Sequence, residues 1–139
     1  MAFLLFWWYY CDMSDYDAVC PIEMDGNPVR PGSRVGAIHG TDNEKSGTIY
    51  IFGFGTYVGR EVPNTAAGAF GKALREIAEE VPEVPDYLKN PKIVLDNGKV
   101  VWGCECWWGP EEQIKKRLEM YSEVVVVDID AERAKVATP

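Results

Sequence analysis

Apolar and polar positions follow each other most informatively across residues 92–128, KIVLDNGKVVWGCECWWGPEEQIKKRLEMYSEVVVVD. The pattern predicts strand, tight turn, strand, helix and strand. Asn97-Gly98 between two β-rich runs is the signature of a two-residue type I′ turn, because both residues tolerate positive φ. Such a turn sets Asp96 opposite Lys99, Leu95 opposite Val100 and Ile93 opposite Trp102. One face of the ribbon then carries Ile93, Leu95, Val100, Trp102, Cys104, Cys106 and Trp108 and is expected to form core. The other carries Lys92, Val94, Asp96, Lys99, Val101, Glu105 and Trp107. After Trp108, Pro110 opens a helix at the position where its missing N–H is harmless. Glu111 and Glu112 suit the helix dipole and pair ahead with Lys115 and Lys116, and Ile114, Leu118 and Tyr121 form its buried stripe. The run EVVVVDI is expected to be a strand covered on both faces, lying parallel beside the hairpin.

Upstream, TIYIFGFGTYVG (48–59) reads as a strand that sends Ile49, Ile51 and Gly53 one way and Tyr50, Phe52 and Phe54 the other. Gly53 and Gly55 mark a bulge, a bend or a close backbone approach. A helix over about 65–80, capped by Asn64, carries Phe70, Leu74 and Ile77 with Ala66, Ala67, Ala73 and Ala78 on its packing side. Pro82 and Pro85 end it, and an extended connector leads into the hairpin. Short strands are expected around 22–24 and 34–38, with turns at Asp25-Gly26 and Pro31-Gly32 and a solvated loop over 39–46. Asp130 is expected to cap a short last helix. These elements give an α+β domain over 13–139, with a mixed sheet, a central hairpin and two main helices. An apolar aromatic segment precedes it over 1–12. Its first ten residues, MAFLLFWWYY, read as a buried strand, an arm docked on a partner subunit, or an extension ahead of a start at Met13.

Composition narrows the functional classes. The formal charge is −8, from 14 basic against 22 acidic residues, which argues against binding duplex nucleic acid through its phosphates. The opening apolar run lacks basic flanks and a cleavage site and is too short to span a bilayer. A cytoplasmic chain is expected. Cys11, Cys20, Cys104 and Cys106 are too few for a disulfide scaffold, and the two-residue spacing of the later pair lacks a zinc knuckle. Core packing is the reading for these thiols, with no metal and no cofactor expected. GFGTYVG has no helix behind it to meet a phosphate. Asp128 and Asp130 end a strand as paired phosphotransferase aspartates do, but only nine residues follow. His39 is the single histidine, so no convincing catalytic constellation emerges.

A binding site is easier to draw. Trp107 and Glu105 sit on the hairpin's polar side, Tyr57, Arg60 and Tyr87 flank turns, and Lys115, Lys116 and Arg117 follow within one helix. An indole beside arginines can stack a base and pair with phosphate. The duller reading covers Trp107 with a second layer or a subunit interface.

The runs NPKIVLDNGKVVWGCECWWGPEE and FGFGTYVGREVP resemble segments of small proteins encoded by bacteriophages and prophages, over about 48–129. The layout is also similar to that of the phage Thoeris anti-defence sponges, oligomers that bind host-made cyclic ADP-ribose signals and silence an immune effector. The resemblance implies a non-enzymatic homo-oligomer in the host cytoplasm that sequesters a small cyclic nucleotide. It further implies that Tyr87 stacks, Asn97 bonds a base edge and Arg117 holds phosphate. With Tyr57, Arg60 and Trp107, these complete the candidate ligand-binding set. The alternative is a module that blocks a host protein through an aromatic surface.

Overall fold

A computed structural model describes residues 29–42, 47–66 and 68–137. Expectations for the aromatic start, Cys11, Cys20, the strand at 22–24 and the turn at Asp25-Gly26 lie outside the described residues, as does the packing of Ala67 and Phe70. The elements run β1 (Arg34–Thr41), β2 (Thr48–Glu61), α1 (Gly68–Glu80), β3 (Asn90–Leu95), β4 (Val100–Trp102), β5 (Trp107–Pro110), α2 (Glu111–Leu118), β6 (Glu123–Val126) and α3 (Ile129–Ala137). Short 3-10 turns occupy Asp86–Leu88 and Gly103–Glu105. The sheet order is β4-β3-β2-β1-β5, with β6 parallel to β2 and the other pairs antiparallel. The chain is therefore the α+β domain with a mixed sheet that its patterning predicts.

β2 is the longest strand and two neighbours share one of its sides. Residues 48–51 pair with β6 and residues 55–61 with β3. Strict alternation does not survive this length. Ile49 and Ile51 face one core with Ile38 and Trp107, Phe52 faces the other with Tyr57 and Trp108, and Phe54 returns to the side of Ile51. The expected grouping of Phe52 with Phe54 is thus corrected. The pairing with β1 skips from Ala37–Gly53 to Ile38–Ile51, and the extra residue shifts the side-chain phase. Gly53 absorbs it at φ 131°, a conformation side chains rarely allow.

The hairpin departs from expectation by one residue. Val94 pairs with Val100, Ile93 with Val101 and Lys92 with Trp102. Leu95 N–H donates to the Lys99 carbonyl at 2.8 Å and Gly98 N–H to the Leu95 carbonyl at 2.9 Å. The loop is Asp96, Asn97 and Gly98, a type I turn closed by a left-handed glycine. Gly98 alone of the three has positive φ, so Asn97 does not take the I′ conformation; its side-chain oxygen instead accepts from Lys99 N–H at 2.9 Å. A one-residue shift turns over every side chain of the second strand. Val101 joins Ile93 and Leu95 in the core, while Trp102 goes to the opposite face. There it is buried, donates its indole N–H to Thr65 Oγ1 at 2.8 Å and lies 5.8 Å from the Lys92 ammonium. The turn at Gly103–Glu105 resets the phase. Cys106 and Trp108 face the core, Trp107 faces away as expected, and Cys104 is only half-buried. The ribbon does not continue, because β5 crosses to pair with β1 at the far end of the sheet.

Other departures follow from what covers what. β6 pairs with β2 rather than the hairpin, and Val124 and Val126 are exposed instead of covered on both faces. Ile77, expected on the buried stripe of the first helix, is exposed while Leu74 is buried. That helix begins at Gly68, so Asn64 is not its cap. The last helix is capped by Asp128, whose carboxylate accepts from Asp130 N–H at 3.2 Å, two residues earlier than expected. The connector holds a 3-10 turn that buries Leu88. His39 belongs to β1, not to a loop, and stands 3.3 Å from Glu132.

Arg34 clamps the hairpin loop, giving Asp96 two hydrogen bonds of 2.6 and 2.7 Å. Arg34 holds the Asp96 carboxyl below its ordinary range, as Lys99 does for Asp128 and Lys89 for Asp86. A depressed carboxylate adds stability above its unfolded pKa, about 3.9, and loses it as pH falls through the folded value. These pairs should therefore leave the melting temperature flat between about pH 5 and 7 and lower it below about pH 4. Asp96→Asn should remove part of that acid slope in melts followed by circular dichroism. An unchanged slope would show that the clamp contributes nothing.

Candidate functional site

α2 lies against β1 and β5 because Ile114 and Leu118, with Tyr121 just beyond the helix end, meet Ile38, Ile49, Ile51 and Trp107. Its first turn carries Glu111 and Glu112 and its last carries Lys115, Lys116 and Arg117, both in the sense the helix dipole favours. Glu111 pairs with Lys115 at 3.7 Å, as the spacing predicts.

Between this helix and β5 is a cavity of about 260 Å³, lined by Ile38, Trp107, Trp108, Gly109, Gln113, Ile114 and Arg117. The Arg117 guanidinium carbon stands 4.4 Å from the centroid of the Trp107 ring, and that indole is 7% exposed. The ring face attracts the cation but offers no lone pair to its N–H donors. Arg117 Nε is buried and has no hydrogen-bond acceptor. Among the described residues Arg34 is matched with Asp96, Lys99 with Asp128 and Arg133 with Glu105, and the half-buried Arg75 donates to the Pro63 and Ala66 carbonyls. The Arg117 Nε has neither kind of partner among them. Burying a donor without an acceptor costs free energy, so an oxygen-bearing anion in the cavity would be stabilised there.

Of the six residues in the candidate set, Trp107 and Arg117 are brought together. The other four do not line the cavity. Tyr57 is 4% exposed on the opposite face, its ring 4.9 Å from that of Trp108, and burial pushes its phenol pKa up. Arg60 is exposed and donates to the Lys89 carbonyl at 3.0 Å. Tyr87 is exposed in the turn before β3, and Asn97 shapes the hairpin loop. Gln113 and Ile38 were not singled out from sequence. A helical wheel carries the signal for Gln113, since positions 113, 114 and 117 share one face; grouping Arg117 with the adjacent lysines hides it.

The remaining chemistry-bearing residues are held elsewhere. Cys106 is buried and its Sγ lies 3.5 Å from the Trp102 carbonyl oxygen; burial, then the neighbouring Glu105 charge, pushes its thiol pKa well up and disfavours the thiolate. Among the described residues no group of three or more His, Cys, Asp and Glu side chains is placed to hold a metal ion. None of the described helices is long and apolar enough to cross a membrane.

Comparison with protein-family models, curated proteins and solved structures returns no match for the chain.

Proposed function

We propose that this protein binds a small nucleotide signal without converting it, holding an anionic group of the ligand on Arg117 beside the Trp107 indole. The unmatched guanidinium in the cavity carries this reading. At about 260 Å³ the cavity is just smaller than the roughly 300 Å³ that encloses a drug-sized ligand. One end of a nucleotide would enter and the rest would lie across the neighbouring surface. Joined to the resemblance of the sequence, the reading is a phage-encoded counter-defence sponge. It would act as a homo-oligomer in the host cytoplasm on a cyclic ADP-ribose-like or cyclic oligonucleotide signal.

The test is retention. Protein incubated with a panel of cyclic nucleotides and cyclic ADP-ribose isomers should release one of them intact when heated, as read by mass spectrometry. A chemically altered product, or no retained ligand, would overturn the reading. Arg117→Ala should weaken retention about tenfold or more, the worth of a charge-assisted hydrogen bond. Its melting temperature should stay within a few degrees of the parent. A large loss of stability with retention unchanged would make Arg117 a structural residue.

The second reading, a module that blocks a host protein, has its own supporting observation. Val124, Val126 and the nearby Met120 are exposed on and before β6. Such valines on a strand suit pairing with another chain. Trp102, Trp107 and Trp108 are buried and so do not contribute to the aromatic surface expected for that role, whereas Tyr87 is exposed.

A further inference from the structure

We infer that the group the cavity accepts carries a single negative charge shared by two oxygens, as in a phosphodiester, rather than the two charges of a phosphomonoester. This deepens the nucleotide reading above and rests on it.

Charge and geometry point the same way. Arg117 is the charged side chain among the described lining residues, and Ile38, Trp107, Gln113 and Ile114 are neutral. Lys115 is paired with Glu111, and its ammonium stands 5.9 Å from the Phe54 ring centroid. Glu111 and Glu112 open the same helix, in a chain of formal charge −8. One bound negative charge neutralises the guanidinium. A second would be left uncompensated in a partly dry site and repelled by its surroundings, which is costly. The Trp107 ring centroid lies 4.4 Å from the guanidinium carbon, and the planar donor fork of a guanidinium matches the two non-bridging oxygens of a phosphodiester. Ile38, Ile114 and Trp107 are suited to the uncharged ester substituents on either side.

Isothermal titration of the full chain with 3′,5′-cyclic AMP, 5′-AMP, 3′,5′-cyclic GMP and 5′-GMP tests the inference at about pH 7.5 and pH 5.5, either side of the second phosphate pKa near 6. No histidine or carboxylate is among the described lining residues, and His39 faces Glu132 and Phe52 on the other side of the sheet. At the higher pH each cyclic nucleotide should bind about tenfold more tightly than its open partner. At the lower pH the open form should gain several-fold as it becomes a monoanion, while the cyclic form stays unchanged. Equal binding of both forms, tighter binding of the open form, or a ratio that does not move with pH would overturn the single-charge inference and leave the nucleotide reading standing. No binding of any of the four by the parent protein would also overturn the single-charge inference, and the nucleotide reading itself falls only if the cyclic ADP-ribose isomers of the retention panel are not held either.

Discussion

Trp102→Ala should lower stability by about 3–5 kcal/mol, the range for emptying a large aromatic site in a packed interior. The melting temperature should fall by roughly 10 °C or more. Trp102 is 1% exposed, and three things are lost with it. They are the packing on its face of β4, the hydrogen bond to Thr65 that ties the segment before α1 to the hairpin, and the stacking of the Lys92 ammonium. Trp102→Phe should cost less, chiefly the smaller ring and the lost hydrogen bond to Thr65, which is exposed and can turn to water. Urea melts of both variants measure this. A fall below about 1 kcal/mol for the alanine variant would show that the indole is dispensable to that layer.

The second large effect concerns α3. Arg133 donates from Nε and Nη2 to the two oxygens of Glu105, at 2.8 and 2.7 Å, and from Nη2 to the Val100 carbonyl at 2.8 Å. Glu105 also accepts from Trp102 N–H at 3.2 Å. With side chains 15% and 12% exposed, this pair is largely withdrawn from water. Its geometry is the two-pronged arginine–carboxylate form. Removing Glu105 leaves this largely buried cation with the Val100 carbonyl and the exposed Asp130 carboxylate at 3.5 Å, so Glu105→Ala should cost about 3 kcal/mol. Replacing both together, Glu105→Leu with Arg133→Met, should cost less than Glu105→Ala alone, because no charge is left unmatched. Equal losses in the two proteins would mean that the pair's packing, not its charge, holds the helix.

Much of the fold can be read along the chain, and the errors have identifiable causes. Ile114 and Leu118 on the buried side of α2 and the opposed directions of Trp107 and Trp108 follow from period alone, while Tyr121, expected on the same helix, packs on that cluster from beyond its end. The hairpin exists where Asn-Gly places it, but that dipeptide serves a two-residue or a three-residue loop equally well. The choice between them decides whether Val101 or Trp102 meets Ile93. Nothing local makes it; burying Trp102 against Thr65, 37 positions away, is consistent with the longer loop. The same holds for EVVVVD. A run of valines describes a strand but not what lies on top of it. Of the site, Arg117 and Trp107 were both visible as chemistry. Their meeting depends on β5 leaving the hairpin for β1, a choice made by pairing across the whole sheet. The Glu105–Arg133 contact, between a turn and the last helix, has no local signature at all.

The divided side of β2 bears on how the chain assembles. Its first half is matched with residues such as Glu123, 75 positions beyond Thr48, whereas its second half finds β3 much sooner along the chain. Closing so distant a loop is entropically slow. The β1–β2 and β3–β4 ribbons should zip early, and residues 48–51 should wait with one edge bare until β6 arrives. During that interval the bare edge, rather than the finished surface, is where an association with the wrong strand would begin.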